Sequence, residues 1–125
     1  MKKFSKFWKS STKPRKQRNY RTRSSLHLKQ KLVHSQLSKP LREKYKKRNI
    51  GLRKSDKVKI MVGKFRKHEG KVEKINLTKT EVYVSGAETT RKDGTKQLIA
   101  LHPSNLMITE LNTDDKLRLK ILERK

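Results

Sequence analysis

Apolar and polar positions alternate most regularly between Lys57 and Gly86. Val58, Ile60 and Val62 are interleaved with Lys57, Lys59 and Met61, the two-residue period of a half-buried strand. A short basic loop follows Gly63, running Lys64-Phe65-Arg66-Lys67-His68 and closed by Glu69-Gly70. A second strand is predicted from Lys71 to about Asn76. A third, Glu81 to Ser85, places Val82 and Val84 on one face. Gly86 to Gly94 reads as a polar connection with a turn at Lys92-Asp93-Gly94. Two further strands, Lys96–Leu101 and Asn105–Ile108, are split by His102-Pro103-Ser104, where proline removes a donor and suits an edge or a corner. Five short strands rich in Val and Ile predict a mainly β fold, a small closed or nearly closed barrel of the SH3-like kind.

Helical spacing flanks this stretch. Ser24 or Ser25 can cap a helix carrying Leu26, Leu28, Leu32 and Val33. Ser38-Lys39-Pro40 is a second start signal, after which Leu41 and Tyr45 fall four apart and Glu43 faces Lys47. Lys44, Lys46 and Arg48 form its basic end, and Asn49 and Gly51 stop it. A last helix is expected from about Thr113 to Arg124, capped by Thr113 or Asn112. Leu117 and Ile121 are its expected docking stripe, with Leu119 and Leu122 beside it. Residues 1–23 show no sustained apolar period. The chain therefore divides into a basic arm (1–23), a helical basic extension (24–56), the barrel (57–112) and a C-terminal helix (113–125). Nearly all core candidates lie between Val58 and Leu111.

Charge decides the class of partner. The chain of 125 residues has a formal net charge of +25, and residues 1–56 hold 20 of its 36 cations against two acids, Glu43 and Asp56. Such self-repulsion destabilises a compact free state and calls for a dense anion. Nucleic acid fits. A membrane does not, because no apolar run approaches the roughly 20 residues of a span and no helix has a broad apolar face. The start, MKKFSKFWKSS, is positive but lacks the continuous apolar stretch of a secretory signal, so an intracellular protein is expected.

Candidate chemistry is sparse. There are no cysteines, hence no disulfide or thiolate metal site. His27 and His34 lie seven apart on one predicted helical face, but zinc needs further ligands and none is spaced nearby. The acids are scattered among lysines, so no carboxylate pair is set for acid–base work. Gly63-Lys64 lacks the spacing of a phosphate loop. No enzyme, cofactor or small-molecule substrate is expected.

Three groups of residues are the candidate nucleic-acid contacts. In the arm they are Lys13, Arg15, Lys16, Arg18, Tyr20, Arg21 and Arg23, with cations on phosphates; Phe4, Phe7, Trp8 and Tyr20 are set among the charges to stack on bases. A charge run is most often a solvated tail, but flexible tails are poor in aromatics. At the end of the second helix they are Lys46, Lys47 and Arg48. In the barrel loop they are Gly63, Lys64, Phe65, Arg66, Lys67, His68, Gly70 and Lys71. There Phe65 or His68 could stack on an unpaired base, since an apolar ring at a loop tip is costly unless covered. Gly70 would supply a positive φ or a close backbone approach where the loop re-enters the sheet.

Strand, basic loop, glycine, Lys-Val, strand resembles the KOW motif, shared by ribosomal proteins and transcription elongation factors of the NusG type. The resemblance extends further. LSKPLREKYKKRNIGLRKSDKV, VGKFRKHEGKV, IALHPSNLMIT and the closing LKILERK are similar to the universal large-subunit ribosomal protein twenty-four family. More narrowly they resemble its archaeal and eukaryotic type, called protein twenty-six in eukaryotes. The match runs from about Leu26 onward, and HPSN and KILERK are more specific than the KOW layout. The resemblance implies an SH3-like barrel on large-subunit ribosomal RNA, near its 5′ region and the polypeptide exit tunnel, with an early role in subunit assembly. It implies RNA contact by Gly63, Lys64, Arg66, Gly70 and Lys71 and by the arm before Leu26. It also implies neighbouring large-subunit proteins and a monomer within the cytoplasmic ribosome. Many members carry a glycine where Lys67 stands. Two other readings remain: a NusG-like factor would need an α/β domain that residues 1–56 are too basic to form, and a DNA-compacting protein would need no patterned barrel.

Overall fold

A computed structural model describes residues 11–124; Phe4, Phe7, Trp8 and the terminal Lys125 of the sequence reading lie outside them. Among the described residues there are four α-helices: α1 (Pro14–Arg23), α2 (Leu26–Lys29), α3 (Lys39–Tyr45) and α4 (Lys116–Glu123). The same residues hold eight strands: β1 (His34–Leu37), β2 (Asn49–Gly51), β3 (Lys57–Ile60), β4 (Glu69–Asn76), β5 (Glu81–Val84), β6 (Glu88–Thr90), β7 (Lys96–Leu98) and β8 (Leu106–Glu110). Six strands form one mixed sheet in the order β2-β1-β8-β3-β4-β5, and β6 pairs with β7 as a separate hairpin. The β1–β8 pair is parallel and the other ladders are antiparallel. A bridge between Val82 and Leu101 links β5 to the segment after β7. Among the described residues no ladder joins β2 to β5, so the expected small barrel takes the form of an open mixed sheet with a hairpin beside it.

The period-two stretch behaves as its pattern requires. Val58, Ile60, Val72, Val82, Val84, Leu106 and Ile108 fill the core. Val62 does not join them: β3 ends at Ile60, the chain turns, and Val62 stands 58% exposed. The core also reaches beyond its expected limits. Val33, Leu37, Ile50 and Leu52 enter from before Lys57 and Leu122 from after Leu111. Much of this comes from β1 and β2, where the local pattern suggests only helix ends and linkers. β1 offers only one large apolar side chain, Leu37. Its other inward residue, Ser35, is buried because its hydroxyl donates to the Pro103 carbonyl at 2.5 Å. β6 falls within the expected polar connection, and its polar Glu88-Thr89-Thr90 is held by pairing with β7.

The helices are shorter than predicted. The first expected helix is α2 followed by a 3-10 turn at Gln30–Leu32, so His27 and His34 do not share a helical face. Among the described residues no cluster of metal-ligating side chains occurs. α3 starts where Ser38 and Pro40 indicate, but it ends at Tyr45 because Lys46 adopts a left-handed conformation (φ 52°). Lys47 therefore cannot face Glu43; its ammonium donates instead to the Ile121 carbonyl of α4. α4 is capped by Asp115, whose carboxylate accepts the Leu117 N–H at 2.8 Å, rather than by Thr113 or Asn112. It docks through Arg118 and Leu122, with Leu119 packed alongside, while Leu117 and Ile121 face outward. The expected stripe is the exposed one.

Candidate nucleic-acid interface

The loop between β3 and β4 is built stiffly. The Met61 N–H donates to the Asn105 carbonyl (2.8 Å) and the Lys67 N–H to the Ile60 carbonyl (2.8 Å). The Ile60 N–H donates to the His68 carbonyl (2.9 Å), and inside the loop the Arg66 N–H reaches the Gly63 carbonyl (3.1 Å). Gly63 (φ 97°) and Lys67 (φ 73°) supply the two left-handed residues that turn the chain. Gly70 is needed for a different reason, close approach: a side chain there would collide with the Ser85 carbonyl oxygen of β5. The neighbouring Lys71 N–H donates to the Ser85 hydroxyl (2.9 Å), which locks the same junction.

Both rings expected to stack on bases have structural partners. Phe65 packs against the core from the loop. His68 places Nε2 at 3.0 Å from the Ser85 carbonyl oxygen and lies under Gly86, where a side chain would strike its imidazole. What the loop presents outward is Met61, Val62, Gly63, Lys64, Arg66 and Lys67, all exposed. No acid occurs from Met61 to His68. The exposed Lys71 follows on β4.

Strand registers show what shares this end of the sheet. Ile60 pairs with Leu106 and Lys59 with Glu69, so the end of β3 meets the starts of β4 and β8. Val72 opposite Val84 brings the end of β5 there, and the parallel pair Gln36–Met107 brings the start of β1. Leading into β1 are α1, α2 and the 3-10 turn, and residues 11–34 contain no acid. The arm and the loop thus emerge from the same end. Glu69, the acid that opens β4, is paired with Lys59 at 3.1 Å. His34 adds no strong charge here, because burial pushes its pKa below the usual value.

The sequence pattern does not predict α1. Pro14 opens it, and no side chain of it is buried. Arg15, Lys16, Arg18, Arg21 and Arg23 are exposed on it, Lys13 sits at its N-cap and Tyr20 is half-buried. Arg15, Arg18 and Arg21 recur at three-residue spacing, a repulsion of a few tenths of a kcal/mol per pair that an anion alongside would reverse. The helix is tied to the body at its C-terminus, where the buried Lys29 donates its ammonium to the Thr22 carbonyl at 3.3 Å.

Lys46, Lys47 and Arg48 lie elsewhere. They connect α3 to β2 beyond the end of β1, the opposite end of the sheet from the loop. Lys47 is engaged by α4, leaving Lys46 and Arg48 exposed. Several acids sit toward that end, among them Glu81 and Glu110. Glu110 accepts a hydrogen bond from Lys57 at 2.9 Å and thereby raises the lysine's pKa. The candidate residues therefore form one acid-poor end, arm plus loop, and one mixed end.

The model of the family of eukaryotic ribosomal proteins L26 and their archaeal counterparts matches residues 11–125. Over 114 residues the chain is 43% identical to the large ribosomal subunit protein uL24 of Methanothrix thermoacetophila, covering 91% of this chain and 98% of that one. The chain belongs to this family. It is a ribosomal protein, a structural and non-enzymatic component whose place is the cytoplasmic ribosome. Among the described residues no helix is long and apolar enough to cross a membrane.

In this chain the HPSN segment has a physical role that its letters alone do not show. His102 accepts the Ser104 N–H on Nδ1 (3.3 Å) and Pro103 is buried. The Pro103 carbonyl takes the Ser35 hydroxyl of β1, while the Asn105 carbonyl takes the Met61 N–H at the base of the loop. The segment is a bracket between the arm-bearing strand and the loop. Sequence reasoning also passes over Arg91, Lys92 and Lys96, exposed on the β6–β7 hairpin. A signal for them exists in the turn at Lys92-Asp93-Gly94, but the strand before that turn is too polar to be recognised.

Proposed function

We propose that this chain is a structural component of the large ribosomal subunit that binds large-subunit ribosomal RNA through the acid-poor end of its sheet. The observation that carries the reading is the rigid, outward-facing loop of Lys64, Arg66 and Lys67 at the same end as the cationic helix α1. A preorganised loop loses little conformational entropy on binding, and each phosphate it neutralises releases counterions. Specificity would come from RNA shape, because the A-form major groove is too narrow for side chains to read. The finer placement, near the 5′ region of the RNA and the exit tunnel with an early role in assembly, follows from the family resemblance. So does reading β3, β4, β5 and β8 as an SH3-like frame, a view supported by the Val82–Leu101 bridge that carries pairing beyond β5.

Ultraviolet crosslinking in the protein's own cells, followed by sequencing of the attached nucleic acid, tests this reading. Reads concentrated in one region of large-subunit ribosomal RNA, with crosslinks on α1 and residues 61–71, are expected. Reads spread over nascent transcripts, or recovery mainly of DNA, would overturn it.

A further inference from the structure

We infer that Val62, with Met61 beside it, is an apolar RNA contact of the loop, packing on ribose and base surface between the phosphates held by its cations. The inference rests on the RNA-binding reading above and assigns a salt-independent part of that binding to a side chain with no charge. Val62 is 58% exposed and Met61 37%, on a segment whose backbone is pinned on both sides, at Met61 to Asn105 and at Lys67 to Ile60. The inward side is already filled by Phe65, so Val62 has no route into the core without undoing those bonds.

The other large exposed apolar side chains among the described residues, Leu26, Leu32, Leu117 and Ile121, lie on helical segments. Val62 and Met61 instead stand in a cationic loop, with Val62 one residue before Gly63 and two before Lys64. Gly63 has nothing within 4 Å of where a side chain would begin, which leaves room for a ligand to approach the backbone beside Val62. The flanking charge selects the occupant. An apolar protein patch would leave Lys64, Arg66 and Lys67 unpaired at its rim, whereas a nucleic-acid strand offers phosphates and apolar sugar and base faces at alternating positions. The positive end thus needs an occupant that is anionic and apolar at once, and RNA has both.

The test uses the full-length protein and a transcript of large-subunit ribosomal RNA from the same cells, with affinity measured across a salt series. Val62→Ala and the shape-conserving Val62→Thr are compared with Lys64→Ala. Removing half-exposed valine methyls from a formed contact weakens binding about fivefold, with the dependence on salt unchanged. Lys64→Ala instead lowers the salt slope by about 0.7–0.9. Val62→Thr should lie between wild type and Val62→Ala. Unchanged affinity in both Val62 variants, alongside a normal Lys64→Ala effect, would overturn the apolar contact and leave the RNA reading standing. A Val62→Ala defect confined to incorporation into subunits, with RNA affinity intact, would also overturn it, pointing to a protein on this patch. If Lys64→Ala too has no effect, it is the RNA-binding loop itself that fails.

Discussion

Asp56 and Arg118 form a two-pronged ion pair inside the protein, with Nη1 at 2.6 Å from Oδ1 and Nη2 at 2.7 Å from Oδ2. The two residues are 0% and 2% exposed. Asp56 also accepts the N–H groups of Arg53 (2.8 Å) and Asn112 (2.9 Å), and Arg118 donates to the carbonyls of Gly51 and Asn112. The pair therefore gathers the entry to β3, the end of β2 and the lead into α4 on one point. The Arg118 Nε is buried without a partner, so the guanidinium is not fully satisfied.

Breaking this pair from one side should be costly. Asp56→Ala or Arg118→Ala leaves an uncompensated buried charge, for which about 3–5 kcal/mol is usual. Replacing both by apolar residues of similar volume should recover most of that loss. Chemical denaturation of the two single variants and the double variant measures the coupling; additive losses would show that the pair does not act as a unit.

Gly70→Ala should destabilise the protein by about 1–3 kcal/mol, because the new methyl meets backbone rather than a movable side chain. The signature is a lower denaturation midpoint accompanied by weaker RNA binding, since β4 and β5 are forced apart where the loop re-enters the sheet. A midpoint equal to that of the native chain would mean that the close approach of Gly70 to Ser85 relaxes freely.

Lys64→Ala and Arg66→Ala remove exposed charge and touch no buried group. Stability should stay within about 0.5 kcal/mol of the parent, while each substitution lowers the salt slope of RNA binding by about 0.7–0.9. Filter binding across a salt series reads the slope. Unaltered affinity and slope in both variants would remove the loop from the interface.

Lys67→Gly should push stability and affinity in opposite directions. A lysine at φ 73° is strained by about 1–2 kcal/mol, and glycine relieves this at an entropic cost of roughly 0.5–1 kcal/mol. The net gain is roughly 0–1.5 kcal/mol, together with the loss of one phosphate contact. A variant that is both less stable and equally tight in binding would contradict both halves of the argument.

Much of the sheet can be read from the chain. In β3 and β5 every second residue is Val or Ile, and β8 opens with Leu106 and Ile108 two apart; a two-residue period cannot be satisfied unless one face is buried. The start of α3 is equally legible, because Ser38 and Pro40 act within a single turn. β1 is not. Its one buried polar residue, Ser35, becomes tolerable only when Pro103 arrives 68 positions later to accept its hydroxyl.

The candidate site divides the same way. Cationic chemistry at residues 61–71 and along 13–23 is a property of composition and is visible at once. The direction of Phe65 and His68 is not, because it depends on the core beneath the loop and on Ser85 across the sheet. α4 shows the boundary most plainly. Leu117 with Ile121 and Leu119 with Leu122 are both helical pairings, so local periodicity offers two faces of nearly equal merit. Asp56 breaks the tie by drawing Arg118 inward, 62 residues away in sequence. Local order and net charge are sums over neighbouring residues and were determined by the sequence alone. Which face is buried, and which cations remain exposed, were decided by partners that only the folded chain brings together.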